Sequence, residues 1–302
     1  MSARGQEFQP LFPPQEEKPT SAFAKGQAFP FTYVRDNFNI STWLCFGAFV
    51  QTTLFIIADR FGLGRVALLP AIAILAYKTA DAYLMSIGWK KNIYMDGVIQ
   101  KKYSSAFPDA SGRYGNKPAD SEIVVFLIGT RCNHPLGILA PGVKDIVSYF
   151  SSMATDLDKY REEFGFLGMT SWMNSSDRTT NSEIMEVGYF RSIEGLHKFA
   201  HSKYHRPGWD WWNKHHKTYP HLSIYHETYH VPKGHWENIY VNSHVSGINT
   251  TMTNFTDEMS GKQMWASPIV DASKGLLKTS AGRMSRSNAT EHDHLADPYA
   301  DQ

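Results

Sequence analysis

Cysteine is almost missing from this chain: its 302 residues hold two, Cys45 and Cys132. Cys45 lies inside an apolar run and no CxxC spacing occurs. That excludes a disulfide-stapled scaffold and a thiolate zinc site. An excess of one charge sign is missing too. Lys and Arg number 30 against 29 Asp and Glu, a formal net charge of +1. No basic surplus is available to neutralise phosphates, which excludes a nucleic-acid partner. There is no GxGxxG after a strand-like run, no Walker-type loop, no HExxH and no GxSxG. A bound dinucleotide, a phosphate-cradling loop, a zincin site and a nucleophile elbow therefore lack their sequence marks. The early residues do not read as a secretory signal, because the first apolar run begins too late.

What is abundant is aromatic and imidazole. Phe, Trp and Tyr make up 14% of the residues, and most of the 13 His fall between His197 and His244. Hydrophobic residues reach 42% and charged residues 20%, a globular rather than disordered composition. Such side chains suit an apolar pocket.

Composition divides the chain. Residues 1–40 are expected to be disordered, broken by Pro10, Pro13, Pro14, Pro19 and Pro30. Residues 41–88 read as a membrane-associated helical hairpin. Its first arm, 43–58, carries no charge, and its second begins at Val66 and runs through Lys78 and Asp81. Those two residues sit three apart and share a helix face, where they can pair. Lys90, Lys91, Lys101 and Lys102 follow, which by the positive-inside bias places the catalytic domain on the cytosolic side. The alternative is two buried helices of a soluble protein. Residues 89–120 are turn-rich and read as a linker.

Residues 121–248 form the expected globular domain. Strand patterns cover 122–132, 166–173, 182–190, 222–231 and 236–244, with polar turn residues at 174–181. Helical patterns cover 143–164, a piece capped by Ser192 and a Trp-rich piece after Pro207. This order predicts an α+β class: an antiparallel ferredoxin-like sheet with helices on one face. The other face needs cover, and a second copy would supply it, making a dimeric α+β barrel and a homodimer. Residues 249–302 are expected to be a C-terminal wrap and a disordered tail.

The stretches YFRSIEGLHKFAHS, HRPGWDWWN and HLSIYHETYHVPKGHWENIYVN carry a family resemblance. Over roughly residues 85–285 the chain resembles the fungal monooxygenase-like proteins related to the fumagillin-pathway oxygenase, within the antibiotic-biosynthesis-monooxygenase, dimeric α+β barrel group. The resemblance implies that barrel. It implies oxygenase activity in secondary-metabolite biosynthesis by analogy only, since the same barrel hosts haem dehydratases and peroxidases. Members of the fungal group often carry an N-terminal membrane hairpin.

A cofactor-free oxygenase needs a base with a pKa near neutral, an apolar chamber and donors for an oxyanion. Strand alternation puts Leu222, Ile224, His226, Thr228 and His230 on one side and Glu227 on the other. His226 is the expected catalytic base, under the helices in an aromatic-lined pocket; the plainer alternative is a core histidine bonded to a backbone carbonyl. Glu227 is expected to pair with Arg131 or a neighbouring chain. Trp209 and Trp212 share a helix face and are expected to wall the chamber, with His201 at its rim and Tyr240 and Trp172 as further substrate-binding candidates; simple packing is the alternative for each. His197, His201 and His205 repeat at four-residue spacing, but no carboxylate or cysteine completes a set, so no metal is expected. The expected function is oxidation of a hydrophobic small molecule next to membrane lipid, with no cofactor. The rivals are a haem-dependent dehydratase or oxygenase and a non-catalytic dimeric carrier or accessory subunit.

Overall fold

The computed structural model describes residues 7–20, 31–175 and 183–287. Most of the polar turn at 174–181 and nearly all of the expected tail lie outside the described residues. The chain divides into two units, residues 35–98 and the remainder. Its first helices are α1 (Phe31–Asp36), α2 (Ile40–Asp59) and α3 (Leu69–Ser86).

In the smaller unit, Asn39 starts α2 by accepting the backbone N–H of Thr42 at 3.0 Å on its side chain. At about 1.5 Å per residue, the 20 residues of α2 reach about 30 Å, the thickness of a bilayer's hydrocarbon core. The segments Ile40–Asp59 and Gly64–Ser86 are both long and apolar enough to cross a membrane, and neither is buried. Gln51 closes the hairpin by donating to the Ala67 carbonyl at 3.0 Å. Asp81 pairs with Lys90 rather than with Lys78 as expected.

The larger unit holds β1 (Val98–Ser105) from its second residue on, then β2 (Ile123–Cys132), α4 (Val143–Lys159), α5 (Arg161–Phe164), β3 (Phe166–Met173), β4 (Ile184–Phe190), α6 (Ile193–Ala200), α7 (Arg206–His215) and β5 (Leu222–Val231). Four of these strands form one sheet in the order β3-β4-β2-β5, every neighbour antiparallel. With the first and third strands of the set at the centre, this is the ferredoxin-like arrangement the alternation predicted. Along β2, Val124 and Phe126 face the helices and pack with Phe164, Phe190, Leu196 and Phe199. Ile123, Val125 and Leu127 face away and pack with Leu167, Val187 and Tyr189. Ser192 caps α6 by accepting from the Gly195 N–H at 3.2 Å. Gly129 has a steric reason: a Cβ there would lie 2.2 Å from the ring of Tyr225, its cross-strand neighbour.

Three expectations need correction. The linker contains β1. The stretch 236–244 yields only β6 (Tyr240–His244), which joins β1 and β9 (Ile269–Asp271) in a separate sheet of order β6-β1-β9. It does not extend the four-stranded sheet, because the chain crosses that sheet's outer face instead. Trp236 packs there, its indole N–H donating to the Ser121 carbonyl at 2.7 Å, and Asn242 adopts φ +47°, which breaks a regular pleat. Third, residues 7–17 are ordered rather than disordered. Leu11 N–H donates to Ile269 O at 3.0 Å and Gln15 N–H to Trp265 O at 2.9 Å, which lays the segment across β9 and β8 (Gln263–Ala266). The strand β7 (Thr253–Thr256) pairs with β8, and α8 (Ser280–Arg283) follows. Arg161, buried beside Asp158 at 3.3 Å, sits over Phe166 and Trp265 and ties this layer to the core.

Ile248, Trp236 and Tyr240 cover part of the sheet's outer face. Trp172 and Tyr229 on that face stay 49% and 50% exposed.

Candidate active site

The helices α4, α6 and α7 stand over the inner face of the sheet and leave a cavity of about 660 Å³. Its floor comes from β2, β4 and β5, and its walls are mostly aliphatic and aromatic. Among the described residues, no Lys or Arg lines it.

Cross-strand register lines up Ser171, Glu186, Ile128 and His226 on one row of the sheet. Strands lie about 4.8 Å apart, so the α-carbons of Glu186 and His226 are roughly 10 Å apart with Ile128 between them. Glu186 is the decisive residue. It is 2% exposed, and Ser171 Oγ donates to its Oε1 at 2.6 Å. Its Oε2 is buried with no partner. Burial pushes its carboxyl up to about 7, against the opposing pull of the Ser171 hydrogen bond. At neutral pH the group is poised between acid and carboxylate, the condition that general base catalysis favours.

His205 also lines the cavity, with its Nδ1 buried and unpartnered. Burial lowers its pKa, the Ala200 backbone opposes this, and His201 and His226 add to the lowering. Its imidazole is therefore neutral at pH 7.

The structure sorts the residues expected from sequence. His201, Trp209, Trp212 and His226 line the cavity. His226 departs from its expected enclosure: it is exposed at the mouth, its ring 5.7 Å from Phe126. The reason is its strand. β5 is a sheet edge, and only its Leu222 end packs into the buried cluster with Val143 and Ala140. His201 is exposed at the rim, with its ring 6.2 Å from Trp209. The three histidines do not share one helix: α6 stops at Ala200, so His201 caps it and His205 precedes α7. Among the described residues, no group of three or more His, Cys, Asp or Glu is placed to hold a metal ion.

Tyr240 and Trp172 are corrections. Tyr240 lies against the outer face, stacked on Tyr103 at 5.3 Å, with its hydroxyl pKa raised by burial. Trp172 also points outward, because the bulge between Phe166 and Gly168 puts Met169 and Ser171 on the inner side. Its indole N–H donates to Thr170 Oγ1 at 3.2 Å. Glu227 accepts from the Tyr229 hydroxyl rather than pairing with Arg131.

Sequence reasoning passed over Glu186, although the signal was present. In IMEVGYF, Ile184, Glu186, Gly188 and Phe190 alternate onto one face. A carboxylate among apolar residues on an inward face is the expensive feature to look for.

Residues 123–248 match the family described as Monooxygenase af470-like. The chain is 29% identical over 281 residues to Monooxygenase af470 of Aspergillus fumigatus, spanning 93% of this chain and 98% of that protein. Among solved structures, the cofactor-independent oxygenase SnoaB from Streptomyces nogalater is similar at 10% identity and a TM-score of 0.25, over 36% of this chain and 91% of SnoaB. An aldoxime dehydratase in complex with butyraldoxime is similar at 15% identity and a TM-score of 0.36, over 49% of this chain and 42% of that one.

Proposed function

We propose, from the match of residues 123–248 to the monooxygenase af470-like family, that the protein oxidises a hydrophobic small molecule with dioxygen, without a bound cofactor, using Glu186 as the base. The observation that carries this reading is the buried Glu186 carboxyl, about 7 in pKa, facing an apolar cavity of about 660 Å³ with one oxygen unpartnered. The carboxylate takes a proton from an activated CH₂ of the substrate. The carbanion gives one electron to O₂, the radical pair couples to a hydroperoxide, and loss of water leaves a carbonyl. The substrate supplies all the electrons, so CH₂ and O₂ become C=O and H₂O. Trp209 and Trp212 wall the chamber. His201 and His226 at the mouth hold a polar substituent or oxyanion, a role that suits their exposure better than that of base.

In this reading the hairpin anchors the chain to a membrane, where apolar substrates partition, with the domain on the cytosolic side and the reaction in secondary metabolism. A second copy covers Trp172 and Tyr229. Haem iron could be held by His201, His205 or His226, but among the described residues no Lys or Arg lines the cavity to meet its propionates, so the residues present fit that group poorly.

Gene disruption with metabolite profiling supplies the test substrate. The purified full chain then consumes O₂ with that precursor and shows no Soret band, while Glu186→Gln loses at least about 100-fold in rate. Full turnover in Glu186→Gln refutes the base. A Soret band favours the haem rival, and unaltered metabolites after disruption favour the carrier.

A further inference from the structure

Behind the large cavity lies a second space of about 70 Å³. It reaches into the buried core under the helices, among Ala154, Leu157, Phe166, Phe190 and Phe199, five residues that the main chamber does not touch. Eight residues line both spaces, Glu186 and His205 among them, so the two share a wall at the proposed base. Among the described residues, Glu186 and His205 are also the annex's only titratable groups; the rest of its lining is hydrocarbon, aromatic ring, glycine and the thioethers of Met153 and Met169.

Size and lining restrict the occupant. An annex of about 70 Å³ exceeds the roughly 30 Å³ that a water occupies in the liquid, and falls well below the engineered apolar cavity of about 150 Å³ that takes benzene. Water needs two to four polar partners; Glu186 Oε2 and His205 Nδ1 offer two on the wall shared with the main chamber, while the residues that line the annex alone offer none, and apolar space of that kind stays dry and admits xenon. A small apolar gas fits and an organic ring does not. We propose that this annex is the dioxygen site of the reaction, storing O₂ against the carbon that Glu186 deprotonates. The inference rests on the oxygenase reading above and adds to it where the oxidant waits.

Gly188 supplies the handle. It lines the annex but not the main chamber. A Cβ there would meet its nearest atom, on Phe190, at 3.6 Å, an ordinary contact. Gly188→Ala therefore shrinks the annex without a clash, and Gly188→Val fills more of it. The test uses the full chain in nanodiscs with ¹³C-methyl methionine under raised xenon or O₂ pressure. The expected result is a saturable xenon shift at the Met153 and Met169 methyls. O₂ should also relax these methyls more strongly than that of Met264, which is equally half-buried but elsewhere. Gly188→Ala should weaken xenon binding about fourfold, one methyl's worth of apolar contact, with the melting temperature maintained, and Gly188→Val should abolish it. A xenon response that never saturates, or one indifferent to Gly188→Ala, overturns the proposal, as does an O₂ effect no larger than at Met264. No turnover enters this readout. A missing gas site would leave Glu186 standing as base, and a dispensable Glu186 would leave the gas site standing.

Discussion

Replacing Glu186 by Gln should make the protein more stable, and increasingly so as pH rises. The carboxyl goes from 4.5 in the unfolded chain to about 7 in the fold. Between those values the folded state holds a proton that the unfolded state has released, so stability falls as pH rises through this window and levels off above it. A shift of about 2.5 units at about 1.36 kcal/mol each amounts to roughly 3 kcal/mol. Gln keeps the shape and never ionises, so the variant escapes the loss. At pH 5, where the loss has reached only about 0.8 kcal/mol, the two proteins should melt within about 3 °C of each other. At pH 8 Glu186→Gln should melt higher by roughly 6–12 °C, taking about 2–4 °C per kcal/mol for a unit of this size. Thermal unfolding by circular dichroism from pH 4.5 to 8.5 provides the curve, and oxygen uptake on the same samples shows the accompanying loss of turnover. Melting profiles that run parallel across this range would mean that the carboxylate ionises without penalty, and the assignment of Glu186 as a strained base would be wrong.

Ser171→Ala removes the hydrogen bond that favours the charged form of Glu186. The acid limb of the pH–rate profile should therefore move upward, while activity at pH 9 recovers most of the wild-type rate. Tyr240→Phe should cost about 1 kcal/mol in urea unfolding and leave kcat and KM unchanged, since the ring packs on Tyr103 outside the cavity. Substituting Trp172 and Tyr229 together by Lys should turn a dimer into a monomer in multi-angle light scattering, with the domain's circular dichroism intact. A chain lacking residues 41–88 should leave the membrane fraction on sedimentation while keeping oxygen uptake toward a detergent-dispersed precursor.

The sheet was readable because β2 is a β-branched apolar run bounded by Pro135 and because Pro and Gly mark the turns between elements. Alternation also placed Ile224, His226 and Thr228 on the cavity side, where they lie. Periodicity could not say which strand is an edge. That depends on pairing order, and it decides that His226 is exposed while Glu186, on interior β4, is sealed. It could not foresee the bulge at Phe166 and Gly168 either, and a slip of one residue turns Trp172 outward. The crossing of 236–244 was hidden for a similar reason: WENIYVN has strand composition, but its partner, β1, lies more than a hundred residues earlier in a stretch rich in turn formers.

The pairing of residues 7–17 with the β8 and β9 region joins segments more than two hundred residues apart. During synthesis the first of them leaves the ribosome well ahead of its mate. The ferredoxin-like core, complete by Val231, can condense in the meantime, since domains fold as units while translation proceeds. The closing layer comes last, and its long loop makes it slow. A truncated chain ending shortly after residue 250 would thus own a finished cavity and an N-terminal segment with nothing to grip.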